Sequence, residues 1–166
     1  MGEESPEDPF ASLLDSHADF VDKLTELEAT LDEMMALRDA SDANREVLDE
    51  AIRFFSDELL PHMRLEDEVV LPPLEAKIGR FGTLVNVVAY EHDEIRREIR
   101  KFRDARQELD RSGDPWPAIQ ELNRHGIFTI QFLWDHFRKE KGSLFPAARE
   151  QLSPSELEAI RRQLAH

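Results

Sequence analysis

The chain has no cysteine. Disulfides, thiolate-held zinc, iron–sulfur ligation and a cysteine nucleophile are therefore excluded, and any metal must be held by His, Asp and Glu. Strand patterns are scarce, since no stretch of six or more residues alternates apolar and polar positions with β-branched enrichment. No apolar run approaches the roughly 20 residues that span a bilayer. The opening MGEESPEDPF lacks the basic and apolar regions of a signal peptide, and Pro6 stands where myristoylation calls for Ser or Thr. Positive charge is in the minority: 21 Lys and Arg face 36 Asp and Glu, a net charge of −15. Such a surface repels phosphate backbones and anionic lipid, which argues against nucleic-acid and membrane partners. The expectation is a cytoplasmic protein.

What is present is helical periodicity. With 166 residues and 40% hydrophobic content the chain can bury a core, and its length suits one domain. Residues 1–9 read as a short, flexible acidic tail and residues 10–166 as a single domain. A first helix is expected from about Phe10 to Arg38, with Leu13, Leu14, His17, Phe20, Val21, Leu24, Leu27 and Leu31 on one stripe. Ser41 and Asp42 offer an N-cap for a second helix that carries Val47, Leu48, Ile52, Phe55, Leu59 and His62. Pro61 is expected to kink this helix and Pro72-Pro73 to end it, with a short helical piece around Leu74–Ile78. Gly79 and Gly82 form a turn, and a third helix spans about Thr83 to Arg111. A fourth runs from about Pro117 to Lys141 and stops near Gly142. Ser153-Pro154-Ser155-Glu156 is a capping box that starts a short fifth helix to about Ala165. The fold class is all-α: an up-down-up-down four-helix bundle with a short C-terminal fifth helix.

The two halves repeat. His62-Met63-Arg64-Leu65-Glu66 precedes Pro72, and His136-Phe137-Arg138-Lys139-Glu140 precedes Pro146, so both match H-x-R-x-E-x5-P. Phe54 and Phe128 stand eight residues upstream of the two motifs. Each half also has an isolated His on its earlier helix: 45 residues separate His17 from His62, and 44 separate His92 from His136. His and Glu at i, i+4 share a helix face, and all four His lie on faces that are otherwise apolar. Four imidazoles and two carboxylates directed into one bundle core are very costly unless cations sit among them. Imidazole suits iron, zinc, copper and nickel, and a carboxylate can bridge two metals.

With its H…HxxxE…H…HxxxE pattern the sequence resembles the hemerythrin-like, or HHE cation-binding, domain over about residues 10–150. The resemblance implies a non-haem di-iron centre with an oxo or hydroxo bridge, in which His17, His62, His92 and His136 are terminal ligands and Glu66 and Glu140 bridge. The residue types would also accept zinc or manganese. Oxygen-carrying hemerythrins have a second His four residues after the third-helix His, where this chain has Arg96. They have His-x4-Asp on the fourth helix, where this chain has Lys141 preceded by Glu140. The pattern therefore resembles the wider group of iron or oxygen sensors, nitrosative-stress iron–sulfur repair proteins and peroxide-consuming proteins. The small ligands implied are O2, NO or peroxide, handled in sensing, stress response or redox chemistry. Two functional readings follow: a peroxide- or NO-reactive oxidoreductase, or a non-enzymatic iron or oxygen sensor or iron store that acts through metal-dependent stability. The sequence identifies no catalytic residue and no protein partner.

Around the ligands, Glu58 is the favoured carboxylate partner for a ligand His, with Glu91 and Asp135 as neighbours of ligands. Tyr90, two residues before His92, is expected to pack. His125 is too far from His136 along the helix to share its metals and reads as a surface or channel residue. His166 is expected to be solvated. Arg64 and Arg138 are expected to form surface ion pairs.

Overall fold

The computed structural model describes residues 8–80 and 83–165. The first seven tail residues, Gly82 and His166 lie outside the described residues. Five helices account for nearly all of the rest: α1 (Ala11–Leu37), α2 (42–78), α3 (Leu84–Arg111), α4 (116–151) and α5 (Pro154–Leu164). No strand occurs among the described residues, and no helix there is long and apolar enough to cross a membrane.

Contacts between neighbours fix the layout. His17 meets His62 and Glu33 meets Asn44, so α1 and α2 run antiparallel. Arg106 meets Asp49 and His92 meets Asp67, so α2 and α3 do too. His92 meets His136 and Glu98 meets His125 between α3 and α4. α4 closes the ring against α1, where Gly126 lies under Leu31. The bundle is thus up-down-up-down, as its short connections require.

Ser41 caps α2: its side chain accepts the Asn44 N–H, and the Asn44 side chain returns a bond to the Ser41 backbone. Ser153 and Glu156 form the same reciprocal box at α5. Each pairing satisfies two donors that a helix start otherwise leaves orphaned.

Two expected helix ends are not ends. α2 continues through Pro61 and Pro72-Pro73 to Ile78, and α4 passes Gly142 and Pro146 to Gln151. The reason is a widened, π-type turn before each proline, at Phe55–Leu59, Glu66–Val70 and Glu140–Leu144. In each, the residue just before the proline donates its N–H five residues back: Leu60 to Phe55, Leu71 to Glu66, Phe145 to Glu140. A proline cannot donate to the carbonyl four back and its ring collides with that carbonyl. One extra residue in the preceding turn removes the conflict and lets the helix go on. Such turns often mark functional sites.

The core is two apolar clusters with a polar layer between them. Phe20, Leu59, Met63, Ile95, Leu133 and Phe137 belong to the larger cluster. Leu13, Val70, Val88, Leu144, Phe145 and Ile160 belong to the smaller, which α5 covers at the bundle end. On every bundle helix the sequence crosses from one cluster to the other at a His or His–Glu step: His17 on α1, His62–Glu66 on α2, His92 on α3, His136–Glu140 on α4.

Candidate metal centre

All six expected residues converge. His17, His62, Glu66 and Glu140 form one group of donor atoms, and Glu66, His92, His136 and Glu140 form a second. Within each group the atoms lie within 4.8 Å of one another. Glu66 and Glu140 belong to both, which follows from their place at the start of a widened turn on opposite helices.

The contacts divide by oxygen. Oε2 of Glu66 is 2.9 Å from Nε2 of His62, and Oε1 is 3.0 Å from Nε2 of His92. Oε1 of Glu140 is 3.2 Å from Nε2 of His17, and Oε2 is 3.0 Å from Nε2 of His136. Nε2 of His17 is 3.3 Å from Nε2 of His62, and Nε2 of His92 is 3.1 Å from Nε2 of His136. Each carboxylate thus sends one oxygen to each histidine pair.

The donor set fits a pair of cations. Atoms held at about 2.0–2.2 Å from a common ion, at angles from square to tetrahedral, stand roughly 2.8–3.6 Å apart. All the contacts above fall in that range. Moreover, none of the four carboxylate oxygens has a properly directed hydrogen bond, although all are fully buried. Buried carboxylates without hydrogen bonds are very costly. Short approach without hydrogen-bond direction is what donors aimed at an ion, and not at one another, produce.

The charge state of the metal-free cluster reflects this crowding. Burial, reinforced by the neighbouring Glu140, raises the Glu66 carboxyl above its ordinary value. Burial acts the same way on Glu140, but the facing His136 and His17 outweigh it and hold Glu140 well below the usual carboxylate range. Burial would lower both His92 and His136. Asp67, Glu140 and Glu66 instead hold His92 well above its ordinary value, and Glu140 with Glu91 pushes His136 up to about 9.

The carboxylate partners of the candidate ligands His92 and His136 were largely illegible in the sequence. Nδ1 of His92 is 2.7 Å from Asp67, and Nδ1 of His136 is 2.8 Å from Glu91. Burial tends to raise both acids, but their His and Arg96 or Lys139 neighbours keep both below their ordinary values. Ionised, each accepts the Nδ1–H and leaves the Nε2 lone pair facing the centre. Glu91 was noted as the neighbour of His92, yet it serves His136 on the next helix. Asp67 gives no local signal, because its partner is 25 residues away. Arg96, at the position of the missing fifth His, donates to Asp67.

Several expectations are corrected. Glu58 is half-exposed and pairs with Lys23 at 3.6 Å, because the widened turn at Phe55–Leu59 takes it off the His62 face. Asp135 is exposed and pairs with Lys139. Tyr90 is 61% exposed rather than packed. His125 is buried, held by Glu98 at 2.8 Å and near Glu121 at 3.4 Å, and belongs to neither donor group. Arg64 and Arg138 are exposed without an ion pair among the described residues. Val21 and Phe128 are exposed, whereas Phe54 is buried.

Aromatic rings wall the histidines. Phe137 stacks on His17 at 4.2 Å between centroids, and Phe20 meets His62 edge-on at 5.1 Å. His17 and His62 keep 8% and 6% of their surface, whereas His92 and His136 keep 0% and 1%. The centre is therefore more open on the α1–α2 side.

Comparison with known proteins agrees with this geometry. Residues 8–148 match the family model described as Hemerythrin HHE cation binding domain. No curated protein matches the chain.

Proposed function

The chain belongs to the hemerythrin HHE cation-binding domain family, and on that premise we propose that it is a non-haem di-iron protein that reacts with O2, NO or peroxide. His17 and His62 would hold one iron and His92 and His136 the other, with Glu66 and Glu140 bridging. The observation that supports this most is the sharing of both carboxylates between two histidine pairs, one oxygen to each. Bound iron would supply redox equivalents and coordination positions open to a small ligand. Two histidines per ion, without the fifth His, leave such positions free.

The chain's own residues define what can reach the centre. Phe20 and Phe137 exclude bulk water and leave an apolar approach beside His17 and His62, suited to a small uncharged ligand. Asp67 and Glu91 hold the Nδ1 protons of His92 and His136, which fixes both rings and increases the donor strength of their Nε2 atoms.

The test is to load the metal-free protein with ferrous iron under anaerobic conditions, then add hydrogen peroxide, O2 or NO in separate experiments. Loss of the oxidant together with new charge-transfer absorption supports the proposal. Iron binding with no reaction towards any of the three contradicts it.

The four orphaned carboxylate oxygens also favour a second reading, in which metal loading serves to stabilise the fold for sensing or storage. That reading expects a large metal-dependent rise in melting temperature with no turnover.

A further inference from the structure

α3 concentrates positive charge in a chain whose net charge is −15. Residues 96–106 include Arg96, Arg97, Arg100, Lys101, Arg103 and Arg106. Several are neutralised: Arg97 by Glu94, Lys101 by Glu98 at 3.3 Å, and Arg106 by Asp49 at 2.8 Å. Arg100 and Arg103 have no ion pair among the described residues, and neither does Arg64, which reaches the same surface from α2. With Arg96, Leu60 and Ile99 they line a groove of about 300 Å³ that contains no carboxylate. Arg96, Arg100 and Arg103 follow i, i+4, i+7 spacing and so form one stripe; Arg96 is paired with Asp67 and Asp93, whereas the charges of Arg100 and Arg103 repel unless an anion lies between them.

We propose that this groove binds a small phosphate-bearing anion, with Arg64, Arg100 and Arg103 donating to its oxygens. Guanidinium forks match phosphate oxygens two at a time, which a lysine cannot do. Partly buried Leu60 offers apolar surface to an organic remainder. The overall charge selects for small size. A nucleic acid or an acidic protein brings its charge against the whole acidic surface, whereas a small anion in the groove sits within one Debye length, about 8 Å, of the arginines. The groove also touches the support of the metal centre, since Arg96 donates to Asp67 and Asp67 holds Nδ1 of His92.

Calorimetric titration of the metal-free protein with inorganic pyrophosphate tests this, and its outcome does not depend on the metal or on the proposed redox reaction. Saturable one-to-one binding is expected, weakened by about tenfold or more in Arg100→Gln/Arg103→Gln. Arg111→Gln/Arg124→Gln, which removes the same charge elsewhere, is expected to bind within about twofold of the unsubstituted chain. Circular dichroism confirms that both variants keep their helices, as substitutions of exposed side chains should. Adenosine diphosphate binding more tightly than pyrophosphate assigns the apolar floor to an organic group; equal affinity assigns the groove to the diphosphate alone. Equal weakening in both variants, or no saturable binding at millimolar pyrophosphate, overturns the proposal.

Discussion

Asp67 on α2 lies 2.7 Å from Nδ1 of His92 on α3, and the internal repeat puts Lys141 at its equivalent position. The same comparison puts Ser16 where Glu91 stands. The repeat is therefore symmetric in the six donors and asymmetric in what backs them. His92 and His136 each have a carboxylate at Nδ1; His17 and His62 have none among the described residues.

The two metal positions should accordingly differ in affinity, with the His92–His136 position filling first. Asp67→Asn is expected to weaken that position about 10–100-fold and leave the other largely unchanged. Competition against a chromophoric chelator resolves the two steps. A parallel loss at both positions would show that Asp67 acts through the fold and not through His92.

The metal-free protein should lose stability at alkaline pH. His136 is raised from 6.5 to about 9 by Glu140 and Glu91 against the effect of burial. A group whose folded value lies above its unfolded value stabilises the fold fully below about 6.5, and that contribution is lost as the pH rises through about 9. Metal binding runs the other way, because the imidazoles must be free of protons to ligate, so affinity rises over the same window. Denaturant melts at pH 6 and pH 9.5, with and without metal, check both signs.

Metal should stabilise the fold through Glu66 and Glu140, both 0% exposed with orphaned oxygens. Free metal at 100 times its dissociation constant adds about 2.7 kcal/mol per site. Glu66→Gln is expected to abolish most of the metal-dependent shift while leaving the metal-free melting temperature equal or higher, since the amide removes a buried carboxyl crowded by Glu140. Calorimetric scans of both proteins with and without metal measure the difference.

Gly126 sets the approach of α4 to α1 and α3. A Cβ there would stand 2.6 Å from Cδ1 of Leu31 and 3.1 Å from Cε2 of Phe102. Both neighbours are fully buried, so neither can move freely. Gly126→Ala gains at most about 1 kcal/mol of helix propensity and costs about 1–3 kcal/mol of overpacking. A net loss of stability is expected in urea titration.

The bundle and the six donors were legible because each is written in local spacing. His62 and Glu66, or His136 and Glu140, share a face at i, i+4, and Leu13, Phe20, Leu24 and Leu27 mark the stripe that carries His17. The helix ends were misread at Pro72, because a proline ordinarily stops a helix, and near Gly142, because a glycine commonly follows a helix end. The clue lay inside the repeated motif, where each proline stands six residues after the glutamate. That is the distance at which a widened turn begun at the glutamate removes the clash. Asp67 and Glu91 act across helices on partners 25 and 45 residues away, and no local period encodes such a pairing. Glu58 misled because it stands at i, i+4 from His62 in a helix whose turn there is widened.

Metal content per chain, measured on protein reconstituted anaerobically with ferrous iron and on its Glu66→Ala/Glu140→Ala variant, tests the shared-carboxylate centre most directly. About two irons per chain are expected, matching the two donor groups, and none held tightly by the variant. No iron in the reconstituted chain while its helical spectrum is intact, or the same iron content in both proteins, would contradict it.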